Sequence, residues 1–329
     1  MVRIPACGGR PCTLILSDMA TRSESEKPRV IEYLYERYKR GELPDGLVTN
    51  NDIVAAISAT GSPLSKANPA NFMKDIVRTK SANVYWPEAL KKDHITARQR
   101  YGAKRVFQFV TYPKNQPEPF PDRFPHDKKT KEYKVQSASL PFAARQMGRA
   151  EETWLTQIVV NLRLVETQLS LFSPLGPSVR DVTHLQMGLK TQPEIDAVFL
   201  ASYGSSEDLN APTEFHTLIT CEAKQIGQRI LEDQIREQVA KAMEITVDIT
   251  EPKIASVKPM AISVVEQKFE GQAECVIYII EFGGIDRNEF ATKWAPTDEG
   301  EQLYKMPLKP VSKALYRIIP PIAGLNAQH

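Results

Sequence analysis

Cysteine is scarce. The 329 residues hold four, Cys7, Cys12, Cys221 and Cys275. Their spacing matches no zinc ligand set, and four in a chain of this length make no disulfide framework. Long apolar runs are missing too. No stretch reaches the roughly 18 residues that a transmembrane helix needs. Leu14-Ile15-Leu16 is too short for a signal-peptide core, and no small-residue cleavage pattern follows it. These absences lead us to expect a cytoplasmic, reduced protein with no membrane partner. Excess charge is also lacking. Lys plus Arg is 42, Asp plus Glu is 40 and the net charge is +2, which excludes a histone-like or tail-dominated nucleic-acid binder. His94, His126, His184, His216 and His329 show no pairing at metal-ligand spacing and are expected to be structural or solvated.

Hydrophobic residues make up 42% of the chain and charged residues 25%, enough apolar material for a real core. The length suggests two domains or one large one. Charge is unevenly spread: residues 27–135 hold 21 Lys/Arg against 12 Asp/Glu, a net of +9, which leaves the rest acidic. A basic front and an acidic back suggest two jobs. Between them Pro113, Pro117, Pro119, Pro121 and Pro125 mark a semi-rigid linker. The expected organisation is a flexible lead-in over 1–27, with Met19 an alternative start, then a domain over 28–112. A linker over 113–135 and a second domain over 136–329 follow.

The spacing of Val30, Ile31, Leu34, Tyr35 and Tyr38 predicts a helix over 29–39, ended by Gly41. A second helix is expected over 49–57, with Thr49 or Asn50 as its N-cap. Asn68-Pro69 signals the start of a third, running to Arg78 and burying Phe72, Met73, Ile76 and Val77. Segments 95–100 and 105–110 then flank a turn and predict a hairpin. Three helices and a basic hairpin resemble a winged helix-turn-helix domain. The resemblance implies a third helix in the major groove of duplex DNA. Asn71 would read adenine there. Lys74, Arg78 and the hairpin residues Arg98, Arg100, Lys104 and Arg105 would hold phosphates. The alternative is that these are solvated charges on a helical domain that binds protein.

The second half carries the sharper chemistry. Segments 193–200 and 216–225 are apolar and β-branched, so both are expected to be strands, joined by a polar loop over 202–213. Side chains alternate along a strand, so Glu222 and Lys224 share a face. Asp196, on a neighbouring strand, could sit beside Glu222. Paired carboxylates stay ionised only with a cation between them, and their hard oxygens suit Mg²⁺. Lys224 could orient or deprotonate a water and offset phosphate charge. The bland alternative is a Glu222–Lys224 ion pair at a strand end.

Asp196 followed by Glu222-Ala223-Lys224 resembles the PD-(D/E)xK nuclease superfamily. The resemblance implies an α/β (α+β) core, a central mixed sheet flanked by helices. It makes Asp196 and Glu222 metal ligands, and Lys224 the catalytic lysine. The superfamily places an acidic helix before the first strand. An apolar helical spacing over 151–172 fits, with Glu152 the first candidate carboxylate and Glu151 and Glu166 its rivals. A further helix is expected over 226–243, and Gln225 beside the site could contact DNA. Strands over 261–266 and 274–282 follow, with a turn at Gly271. Residues 287–329, with an apolar patch at 315–319, are expected either to pack on the core or to make a dimer contact. The sequence departs from the pattern in placing Ile195, not proline, before Asp196.

Together these features imply a Mg²⁺-dependent double-strand DNA endonuclease acting as a homodimer. The layout is similar to the BisI-type modification-dependent restriction enzymes, which require methylated cytosine. The rival expectations are a winged-helix regulator with an inactive nuclease-like core, and a repair or recombination nuclease. A protein-binding winged helix on an RNA-processing enzyme is a further one.

Overall fold

The computed structural model describes residues 26–100, 105–191, 193–204, 214–249, 251, 253–295 and 302–325. The lead-in and Met19 lie outside the described residues, as do Lys104 and most of the expected loop over 202–213.

The first unit opens with α1 (Lys27–Lys39), which has proline in its first turn and buries Val30, Ile31, Leu34 and Tyr35. A short strand, β1 (Leu47–Thr49), leads into α2 (Asn50–Ala59). Thr49 is the N-cap: its Oγ1 accepts from Asp52 N, and the Asp52 side chain accepts from Thr49 N at 3.0 Å. Gly46 precedes β1 at φ +70°, and a Cβ there would lie 2.7 Å from Phe109 O, so only glycine fits.

The expected third helix is broken. Residues 69–71 form one 3₁₀ turn, and α3 covers only Lys74–Val77. Asn71 N, Phe72 N and Ile76 N each bond three residues back, to Asn68, Pro69 and Met73. The four expected apolar residues are buried, but the tighter pitch yields no continuous groove-length helix. Two short helices unforeseen from the sequence follow, α4 (Ala82–Tyr85) and α5 (Glu88–Lys92). The hairpin forms from β2 (Ile95–Gln99) and β3 (Arg105–Thr111), and the sheet order is β1-β3-β2, all antiparallel.

Residues 112–130 carry no helix or strand but are tied to both units. Phe120 packs in the first core and Phe124 in the second. The second unit then supplies β4 (Lys131–Gln136), α6 (Phe142–Met147), α7 (Glu152–Asn161) and α8 (Leu164–Leu171). The single helix expected over 151–172 is thus two, broken at Arg163, which sits at φ +54°. Next come β5 (Val179–Leu189), β6 (Ile195–Gly204), β7 (Glu214–Lys224) and α9 (Glu232–Ile245). That last helix starts six residues later than expected. Residues 225–231 instead bend toward the first unit, and Leu231 packs on its core.

The chain continues through β8 (Ile254–Phe269), β9 (Gln272–Phe282), β10 (Ile285–Asp286), α10 (Arg287–Lys293) and β11 (Pro310–Ile319). Gly271, at φ +86°, makes the expected β8–β9 turn. The sheet order is β4-β11-β9-β8-β7-β6-β5, with β10 on β8. The pairs β7–β8 and β4–β11 are parallel and the others antiparallel, so the sheet is mixed. Helices α7 and α8 cover one face around Phe199, Cys221 and Ile277. Helices α9 and α10 cover the other around Val198, Leu218 and Ile280. The apolar patch over 315–319 is interior strand: β11 lies between β4 and β9. Among the described residues no helix is long and apolar enough to cross a membrane.

Candidate active site

The site forms where β6 and β7 part. Their register runs from Gly204↔Glu214 to Ala197↔Cys221 and stops there. One step on, Ala223 N is bonded not by β6 backbone but by Asp196 Oδ2, at 2.7 Å. The aspartate thus fills the gap at the splayed strand ends, next to Glu222.

Alternation along β7 sends Cys221 and Ala223 into the core under α7 and α8. Glu222 and Lys224 share the opposite face, toward α9. Both are removed from water, at 0% and 1% exposure. The Lys224 ammonium contacts Glu222 Oε1, donates to Ala223 O at 3.0 Å and lies 3.5 Å from Glu152 Oε1. The last contact brings in α7, because Glu152 is its first residue. Glu222 Oε2 accepts from Gln238 Nε2, which also donates to Glu194 O at 2.9 Å.

Burial pushes the Asp196 carboxyl up, and the charge of Glu222 adds to the shift. Lys224 and the Ala223 amide pull it back, Glu152 pushes again, and the carboxyl settles at about 7. Burial works against the Lys224 ammonium, but Glu222 and Glu152 outweigh it. Arg78 opposes them, Asp196 adds to them, and the net shift is upward. In this arrangement Lys224 is therefore a cation rather than a base. The Cys221 thiol is pushed up by burial first, then by Asp196 and Glu166, which suits a core residue and not a nucleophile.

Asp196 and Glu222 are the oxygen donors able to hold a cation. Among the described residues no three His, Cys, Asp or Glu side chains form a metal-binding group. Two carboxylates completed by water suit Mg²⁺, which keeps several waters, better than zinc, which wants three or four protein ligands. The fully buried Glu222 Oε1 meets only the Lys224 ammonium, so a cation there would have to displace it.

The other expected contacts scatter. Gln225 Nε2 donates to Glu151 O at 2.7 Å, clamping the strand end to α7. Glu166 lies on α8 and pairs with Arg163. Asn71 is exposed at the end of its 3₁₀ turn, and Arg105 is half-buried on β3. Lys74 begins α3, but its side chain lies outside the described residues. Arg98 and Arg100 turn toward the second unit. Both approach Asp233 Oδ2, at 3.8 and 3.4 Å, and the Arg100 guanidinium stacks 3.7 Å from the Tyr304 ring. At 7% exposure Arg100 offers little to a phosphate.

One site residue escaped the sequence reading. Gln238 was hidden within an amphipathic helix. The available signal was the pair Gln234 and Gln238, polar residues one turn apart along the buried stripe of Ile235, Val239 and Ala242. Arg78, expected to hold a DNA phosphate, is instead close enough for its charge to be felt at Lys224. No family model, no curated protein and no solved structure matches this chain.

Proposed function

We propose that the chain is a Mg²⁺-dependent double-strand DNA endonuclease of the PD-(D/E)xK kind. One observation carries the reading: Asp196, Glu222 and Lys224 converge at the splayed ends of two adjacent strands, with Glu152 beside them. A divalent cation bound there supplies Lewis-acid polarisation of a phosphodiester and a more acidic bound water. Asp196 and Glu222 would hold it. Lys224 would orient the attacking water and offset charge on the phosphate. Glu152 keeps the ammonium in place from the α7 side.

The first unit serves as a winged helix-turn-helix reader of duplex DNA, with the β2–β3 hairpin as its wing. A duplex has two-fold symmetry, which favours a homodimer. The combination of reader and cutter in one chain supports a restriction enzyme of the BisI type, active on methylated cytosine. A second reading, a DNA-binding regulator with a silent core, is favoured by the burial of Glu222 and Lys224 and by their closed ion pair.

The test uses cytosine-methylated and unmethylated plasmid, each with Mg²⁺ and with EDTA. Fragments from methylated DNA with Mg²⁺ alone are the expected result. Fragments from both plasmids keep the nuclease and remove the methyl requirement. Binding without cutting of either plasmid selects the regulator.

A further inference from the structure

Arg78 belongs to the first unit, yet its backbone is bound to the second. Its carbonyl accepts from Arg229 N at 2.6 Å, and Lys80 N donates to Gly227 O at 2.9 Å. Thr79 forms an antiparallel bridge with Gln228 between those two bonds. Gln228 in turn accepts from Gln225 N at 2.8 Å, and Gln225 directly follows Lys224. The residues 78–80 are therefore stitched to the segment that leaves the candidate active site. Arg78 is thereby held near that site, close enough for its charge to act on Lys224.

Its side chain is unspent. Arg78 Nε is buried without a hydrogen-bond partner, and the guanidinium makes no ion pair among the described residues. A buried donor with no acceptor costs free energy, and an anion arriving at the site would remove that cost. The site otherwise sets three carboxylates, Asp196, Glu222 and Glu152, around one ammonium. A polyanionic backbone needs a further cation there. A guanidinium suits the task, since its planar fork matches two phosphate oxygens at once.

We propose that Arg78 binds a phosphate of the substrate at the Asp196–Glu222–Lys224 centre, so that the N-terminal unit supplies part of the reaction site. This rests on the nuclease reading. It differs from a general backbone contact, whose loss weakens binding about equally across all sequences.

The experiment compares full-length wild type, Arg78→Ala, Arg78→Lys and Asp196→Ala on plasmid with Mg²⁺. Duplex binding is measured in EDTA, and thermal melting serves as a fold check. The Arg78 docking bond comes from its carbonyl, so the alanine variant is expected to melt with the wild type. Its turnover should fall about 100-fold, the scale for losing one transition-state donor, with duplex affinity far less affected. Arg78→Lys should recover part of the rate and thereby exclude a purely structural loss. Wild-type turnover in Arg78→Ala, beside an inactive Asp196→Ala, overturns the Arg78 role alone. A drop confined to affinity also overturns it, because the residue is then a general backbone contact. If the wild type leaves DNA intact, the nuclease reading fails and takes the Arg78 role with it.

Discussion

Glu222 and Lys224 face one another because strand side chains alternate, and both are carried out of water by the sheet around them. A buried ion pair is weak evidence for stability, since desolvation offsets most of the attraction. It lies at a splayed strand end beside two further carboxylates, Asp196 and Glu152, the arrangement that the proposed chemistry requires. Replacing Lys224 by alanine should abolish cleavage and leave duplex binding in place, as read by gel shift beside a plasmid assay. A second titratable group acts on stability instead. Glu237 is buried, its carboxyl is pushed up to about 8 from an ordinary 4.5, and Tyr304 OH donates to it at 2.6 Å. Burial dominates and Asp233 adds to the shift, while Tyr304 and Arg100 oppose it. The folded chain therefore keeps a proton that the unfolded chain releases. This contribution is complete below pH 4.5 and is lost as pH rises through about 8. Melting temperatures across that window should fall less in Glu237→Gln than in the wild type, and parallel curves would remove the assignment.

At the scale of elements, the local signals were legible and the long-range ones were not. Capping chemistry is local: of the two expected N-caps, Thr49 and Asn50, the structure uses Thr49, and Asp52 completes the capping box. Thr49→Ala should cost about 1 kcal/mol in denaturant unfolding. The strands carrying Asp196, Glu222 and Lys224 were legible because β-branched runs and alternation need no tertiary information. The helix breaks were not. Apolar spacing runs unbroken through Arg163, yet the chain turns there into the left-handed region, and spacing carries no record of φ. Spacing also failed to separate the 3₁₀ turn at 69–71 from a longer helix, since both pitches bury Phe72 and Met73. Strand β11, whose partners β4 and β9 lie far off in sequence, could only be left as an apolar patch. The sheet interior adds a polar network invisible from spacing. Glu281 accepts from Lys258 Nζ at 2.5 Å, Ser173 Oγ at 2.7 Å and Ser312 Oγ at 2.6 Å. Lys258→Met leaves that carboxylate buried without its cation, at an expected cost of about 3–5 kcal/mol by chemical denaturation.

At the scale of the whole molecule, the proline-rich stretch is less a tether than a strap. Arg229 Nη2 donates to Pro121 O at 2.5 Å, and Leu231 enters the first core. Asp233 draws Arg98 and Arg100 across the seam. The hairpin arginines expected on DNA are thus partly committed to joining the units. Asp233→Ala should loosen this seam, read as faster hydrogen exchange at the Lys80 and Arg229 amides. Unchanged protection would mean that the strap alone holds the units together. The docking also brings residues 78–80 of the first unit against residues 227–229, which follow the candidate site in the chain. The most direct measurement is cleavage of methylated plasmid by the wild type and by Asp196→Ala, with Mg²⁺ and with EDTA. The account predicts discrete fragments from the wild type with Mg²⁺ alone and none from the variant. Equal cutting by both proteins, or none by the wild type, would contradict it.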